Sequence, residues 1–201
     1  MKIICIGRNY AEHAQELGNE IPESPVIFMK PDTAILKGND FYIPEFSNDV
    51  HYELEVVLKI SKGGKYILEE NADKHYDEIG LGIDFTARDL QSKLKSKGLP
   101  WELSKGFDGS AVLSEFFNKK EYDMKNLNFS LLKNKQEVQN GNTSLMIFSP
   151  EQIIAFVSQY FTLRVGDLIF TGTPKGVGKV SENDELQAFL EDQKVFKLRI
   201  Q

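Results

Sequence analysis

The stretch His51-Tyr52-Glu53-Leu54-Glu55-Val56-Val57 constrains the fold more than any other part of the chain. Strict alternation sends Tyr52, Leu54 and Val56 to one face of a β-strand and Glu53 and Glu55 to the other. At strand rise the two acidic Cβ atoms lie about 6.5–7 Å apart, so both carboxylates can converge on one ion. A second apolar run, Ile79 to Phe85, carries Asp84 near its end. If Asp84 reaches the same point, three acids form a hard, oxygen-only site suited to Mg²⁺, Mn²⁺ or Ca²⁺. On spacing alone the alternative is a half-buried strand whose acids face water.

With 201 residues, 41% apolar and 27% charged, the chain can bury one substantial core, and a single domain over residues 1–201 is expected. The net charge of −6 is spread along it, leaving no basic stripe for nucleic acid and no polybasic membrane anchor; neither partner is expected. The longest uninterrupted apolar run, Ile153 to Val157, is far short of the ~20 residues that span a bilayer. A short apolar start without a signal-like core, and a lone Cys5 that excludes an internal disulfide, point to the cytoplasm. Cys5 falls inside the first apolar run and reads as core filler.

Residues 2–7 read as a strand. Asn9 with Glu12 resembles a capping box, opening a helix that Gly18 closes and that carries Tyr10, Ala14 and Leu17 as its apolar stripe. His13 and Glu16, three residues apart, are neighbours on that helix, so Glu16 can orient the imidazole and the pair can activate water; a solvated surface pair is the alternative. Val26 to Met29 forms a short strand, 32–49 is loop-rich, 69–78 is weakly helical, and 86–97 is helical up to Gly98 and Pro100. Arg88 and Gln91 project from the first turns of that helix toward Asp84. Arg88 suits a bidentate grip on a substrate carboxylate, or an ion pair with Asp84 or Asp89. Residues 100–110 hold too many turn formers for a regular element, and a lysine there, Lys105, ordinarily faces water. A hairpin about Asn134-Lys135 follows, then a helix opened by Ser149-Pro150-Glu151-Gln152 with Ile153, Ile154, Val157, Tyr160 and Phe161 on one face. A buried strand at 168–171 and a closing hairpin, 185–190 with 194–200, complete the chain.

Several chemistries lack their motifs. The glycine-rich loop 172–178 fits neither Walker nor dinucleotide spacing, and one cysteine cannot supply a zinc deaminase site. Scattered His13, His51 and His75 and the lack of a Gly-x-Ser-x-Gly elbow disfavour zinc-protease and serine-triad chemistry.

Five segments, in order, resemble the fumarylacetoacetate hydrolase family, and within it the small acylpyruvase and oxaloacetate-decarboxylase branch. They are Gly7-Arg8-Asn9-Tyr10 with His13, Glu53-x-Glu55, Asp84-x-Thr86-x-Arg88-Asp89-x-Gln91, Gly98-Leu99-Pro100-Trp101 with Lys105, and Gly166-Asp167 through Thr171-Gly172-Thr173-Pro174. The resemblance covers essentially the whole chain. It implies an α+β, β-rich fold, a mixed β-sandwich roll with a few short helices, usually as a homodimer. It further implies Mg²⁺ or Mn²⁺, with Ca²⁺ as the other choice, held by Glu53, Glu55 and Asp84. His13 and Glu16 would then be the water-activating dyad on a lid-like helix, Lys105 a further catalytic residue, and Arg88, Gln91 and Thr173 part of the substrate pocket. One departure is Asp108-Gly109-Ser110-Ala111-Val112, where many relatives carry a proline soon after the Phe-Asp pair; it leaves the pocket wall and the substrate preference open.

A small 2-oxo or 2,4-dioxo acid can chelate such a metal, and reaction at C3 passes through an enolate. The leading expectation is C–C hydrolysis of an acylpyruvate, His13 deprotonating water and Lys105 steadying the oxyanion. Oxaloacetate decarboxylation or tautomerisation, or isomerisation of a 2-hydroxyhepta-2,4-diene-1,7-dioate, uses the same enolate and is the alternative. A non-catalytic β-rich module holding structural Ca²⁺ is the reading from a different class.

Overall fold

The computed structural model describes residues 1–16, 18 and 20–201. In chain order the strands are β1 Ile3–Gly7, β2 Val26–Lys30, β3 Asp40–Phe41, β4 Val50–Tyr52, β5 Leu54–Ile60, β6 Tyr76–Asp84, β7 Thr86–Ala87, β8 Ala111–Leu113, β9 Phe117–Asn118, β10 Asn128–Lys133, β11 Gln136–Asn142, β12 Leu168–Phe170, β13 Gly178–Lys179, β14 Glu185–Leu190 and β15 Gln193–Ile200. The helices are α1 Ala11–Glu16, α2 Glu69–Ala72, α3 Arg88–Ser96, α4 Glu102–Lys105 and α5 Pro150–Tyr160. The strands form a large sheet ordered β2-β1-β12-β5-β6-β8, with β9 also on β6; a second ordered β11-β10-β14-β15-β3; and a small third ordered β13-β4-β7. This is the expected α+β, β-rich architecture with few and short helices.

Strand β5 is buried along nearly its whole length, as befits the middle of a sheet covered on both faces. One face of the large sheet carries Leu54, Val56, Leu58, Leu81, Ile83 and Ile169, which share one core with Phe129, Leu131, Leu186, Ala188 and Leu190 of the second sheet. A smaller cluster, Cys5, Phe28, Val57, Ala111 and Phe170, forms apart from it. Register decides where the acids go. Leu54 pairs with Ile83 and Glu55 with Gly82, so Glu55 and Asp84 share a face, opposite to Leu54 and Val56. Gly82 lets Phe170 pack against that face beside Glu55: a Cβ there would meet the Phe170 ring at 2.5 Å and Val112 O at 2.7 Å.

Alternation predicts an unbroken strand over 51–57, but the chain breaks at Glu53: β4 belongs to the small sheet and β5 to the large one. The partner does likewise, since β6 ends at Asp84, Phe85 intervenes, and β7 pairs with β4. Two paired strands therefore turn a corner together, joined across it by the Asp84 N–H to Glu53 O bond at 2.8 Å. The acids sit at this corner.

Elsewhere the local signals are mostly realised. Asn134 and Lys135 take φ of 53° and 70°, as a two-residue type I′ turn requires. Ser149 and Gln152 form a full capping box on α5. Tyr160, expected on the apolar face of α5, is instead 60% exposed, and Phe161 beyond the helix end packs on the core. Asn9 does not cap α1: its carboxamide donates to Phe148 O and Thr171 O and accepts from Phe148 N–H, three long-range stitches. Tyr10 and Ala14 are buried as expected, while Leu17 lies outside the described residues. Residues 100–110 contain the one-turn α4, and the strand expected from Ile79 begins at Tyr76. Among the described residues no helix is long and apolar enough to cross a membrane.

Candidate metal centre and active site

At the corner Glu53, Glu55 and Asp84 each bring a carboxylate oxygen within 4.8 Å of the others. All three are buried, which overturns the water-facing alternative. An ion with bonds of about 2.0–2.6 Å spaces its oxygen ligands by no more than about 4–5 Å, so this donor set fits Mg²⁺, Mn²⁺ or Ca²⁺. Three basic side chains surround it. Lys105 Nζ lies 2.8 Å from Glu53 Oε2, 2.7 Å from Asp84 Oδ2 and 2.6 Å from Thr86 Oγ1, which uses all three of its N–H donors. Lys30 Nζ sits 2.7 Å from Asp84 Oδ1, an ion-pair contact lying off the hydrogen-bond direction. Its ammonium is also caged by the oxygens of Phe85, Ser110 and Lys105. Arg88 pairs with Glu53 through Nη2 and donates Nη1–H to Gln91 Oε1 at 2.6 Å. The alternative pairing with Asp84 or Asp89 does not form; Asp89 instead accepts from the Ser47 hydroxyl and the Asn48 N–H.

The three acids are not electrically equivalent. Burial pushes Glu53 upward, but Lys105 and Arg88 overcome it and hold that carboxyl well below the usual range. Burial lowers Lys105 in turn, yet Asp84 and Glu53 together raise it above an ordinary lysine. Glu55 accepts the Gly172 N–H at 2.7 Å, and among the described residues no cation pairs with it. Burial, then the charges of Asp84 and Glu53, push it well above the carboxylate range. A buried acid beside two others and lacking a cation is the observation that best fits a doubly charged ion here.

One wall of the pocket is α1. His13 lines it together with Glu53 and Glu55, and its Nδ1 lies 3.2 Å from Glu16 Oε2. A carboxylate only accepts, so in the neutral ring Nδ1 carries the proton and Nε2 the lone pair. Glu16 also accepts the Gly176 N–H at 3.1 Å, and Glu12 pairs with Lys175 at 3.0 Å, tying α1 to the 172–178 loop. Gly176 has φ +94° and Val138 O where a Cβ would stand, so this loop needs glycine. Thr173 lines the pocket while its hydroxyl donates to Leu54 O and accepts from Gln139 Nε2, each at 2.8 Å. Another wall is aromatic: Phe28 and Trp101 lie 6.0 Å apart, with Lys105 Nζ 4.8 Å from the Phe28 ring and Lys95 Nζ 6.0 Å from the Trp101 ring.

Of the residues expected from sequence, His13, Glu53, Glu55, Arg88, Gln91, Lys105 and Thr173 line this one pocket. Asp84 lies beneath it through Lys105, and Glu16 stands behind His13. Sequence reasoning missed Lys30, Arg8, Lys95 and the Phe28–Trp101 wall. Lys30 had a signal: it closes the apolar run from Val26 just before Pro31, and alternation puts it on the face of buried Phe28.

The model of the fumarylacetoacetate (FAA) hydrolase C-terminal family matches residues 2–201. The chain is 42% identical over 201 residues to the mitochondrial oxaloacetate tautomerase FAHD1 of Bos taurus, covering 99% of this chain and 91% of that protein. It is 40% identical over 188 residues to the oxaloacetate tautomerase YcgM of Escherichia coli (strain K12), covering 92% and 86%. A solved structure of fumarylpyruvate hydrolase from Pseudomonas aeruginosa, in complex with Mn²⁺ and pyruvate, superposes with a TM-score of 0.94 at 33% identity, covering 100% of this chain and 89% of that one. Spread over both sheets and the corner between them, these likenesses make the chain a member of the fumarylacetoacetate hydrolase family of enzymes.

Proposed function

We propose that the protein is a divalent-metal enzyme that interconverts the keto and enol forms of oxaloacetate or a close 2-oxo diacid. The observation that carries this reading is Glu55, a buried carboxylate beside Glu53 and Asp84 with no cation of its own among the described residues. Glu53, Glu55 and Asp84 would hold Mg²⁺ or Mn²⁺, the choice supported by the Mn²⁺ complex of the hydrolase relative. When bound, such an ion supplies positive charge to the carboxylate and 2-oxo oxygen of the substrate and so favours its enolate.

The chain's own groups do the rest. Lys30, Lys105 and Arg88 balance the three acids charge for charge. A doubly charged ion then leaves the floor with two positive charges in excess, which matches a dianionic substrate. His13 Nε2 removes and returns a proton at C3, and Glu16 fixes the tautomer that makes Nε2 the base. Lys105, whose donors are taken, acts by its charge and by fixing the acids rather than by a bond to substrate. Both tautomerase relatives support this order of preference.

The His13–Glu16 pair also favours a second reading, hydrolysis of an acylpyruvate, in which His13 takes the proton from water. One sample tests both. Metal-stripped protein reloaded with Mn²⁺ is assayed for enol-oxaloacetate decay, CO₂ release and acylpyruvate cleavage. Tautomerisation should be the fastest and should vanish with Glu53→Gln. Turnover unaffected by chelation would sink both readings.

A further inference from the structure

The floor cations Lys30, Lys105 and Arg88 are committed to Asp84 and Glu53. Arg8 is not. It lines the same pocket, is only half-buried, and among the described residues makes no ion pair or hydrogen bond. Its backbone stands at φ +60°, a left-handed conformation that residues with side chains seldom adopt and that gathers at functional sites. A Cβ on Gly7 would lie 3.8 Å from Phe28 and 3.9 Å from Trp101, so the Gly7–Arg8 corner abuts the aromatic wall. Lys95 reaches that wall from α3. Arg8 is close enough that, after burial, it is the main influence depressing the Lys95 ammonium. Two like charges gathered at a pocket edge, in a chain of net charge −6, form a local field suited to an anion.

We propose that Arg8, with Lys95 beside it, is a second carboxylate-binding point that takes the far end of a short dicarboxylic 2-oxo acid. The near end lies over Glu53, Glu55 and Asp84, so this rests on the metal-centred reading above. From Lys105 to Lys95 the wall is two rings long, Phe28 then Trp101, which suits a ligand of a few carbons. A guanidinium offers paired donors that match a carboxylate edge, and a monoacid leaves them facing nothing.

The test is titration calorimetry on the Mn²⁺-loaded protein with two matched pairs: oxaloacetate against 2-oxobutyrate, and 2-oxoglutarate against 2-oxovalerate. Each pair differs by a carboxylate in place of a methyl group. In the wild type at least one diacid should bind about tenfold more tightly than its monoacid, the size of one charge-assisted contact. Arg8→Gln and Arg8→Gly should both erase that advantage. The glycine variant suits the positive φ, so it removes the guanidinium without disturbing the backbone. Equal binding within both pairs in the wild type, or an advantage that survives both substitutions, overturns the proposal while leaving the metal-centred reading intact. If none of the four acids binds, the metal-centred reading falls and the Arg8 site falls with it.

Discussion

The floor of the pocket and its α1 wall are built by different means. Glu53, Glu55 and Asp84 owe their convergence to strand register and to a corner where two paired strands change sheets. Lys30 and Lys105 are buried against them. The wall is a six-residue helix, too short to stand alone, tied to the 172–178 loop by Glu16 to Gly176 and by the exposed Glu12–Lys175 pair. A charge on the floor is therefore part of the fold, whereas His13 is attached to the fold. Substitutions should separate the two: the floor answers in stability and metal, the wall in turnover.

Lys30→Met should give the largest effect. Stripping one partner from a buried pair costs about 3–5 kcal/mol, a loss that urea denaturation should register. A midpoint equal to wild type would remove Lys30 from the floor. His13→Ala should behave oppositely, lowering turnover about 10²–10⁴-fold while Mn²⁺ affinity, read by electron paramagnetic resonance, stays put. Weaker metal binding in that variant would merge wall with floor. Glu16→Gln gives up a charge-assisted bond of about 1.5–3 kcal/mol, so turnover should fall about ten- to a hundredfold with an unchanged melting point. Glu55→Gln should have the smallest effect on the metal-free fold, and of opposite sign. Replacing a buried carboxyl that lacks a cation should stabilise it by about 1 kcal/mol, roughly 2–4 °C in Tm, while the gain on adding Mn²⁺ disappears. A lower metal-free Tm would show that Glu55 is satisfied without an ion.

What sequence disclosed follows the reach of each signal. Period-two alternation put Glu53 and Glu55 on one side, and the three-residue spacing of His13 and Glu16 gave their contact, because both are local. The break at Glu53 was invisible, since pairing with β7 and β13 decides it, and those strands come from residues 86–87 and 178–179. Lys105 reads from composition as a surface lysine, and only the family resemblance moved it inside. Lys30 was missed for the same reason: its cage comes from residues 84, 85, 105 and 110, none of them near in sequence. Arg88 lines the pocket as expected, and the alternative pairing with Asp89 fails because Ser47 and Asn48, far upstream, engage Asp89.

The bond from Asp84 N–H to Glu53 O spans the bend between the sheets and lies among fully covered apolar residues. Leu54, Ile83 and Phe85 around it are fully covered, so its amide proton belongs with the slowly exchanging protons of the molecule. An ion held by Glu53, Glu55 and Asp84 would therefore exchange by way of the pocket that His13 and Thr173 line rather than through this bend.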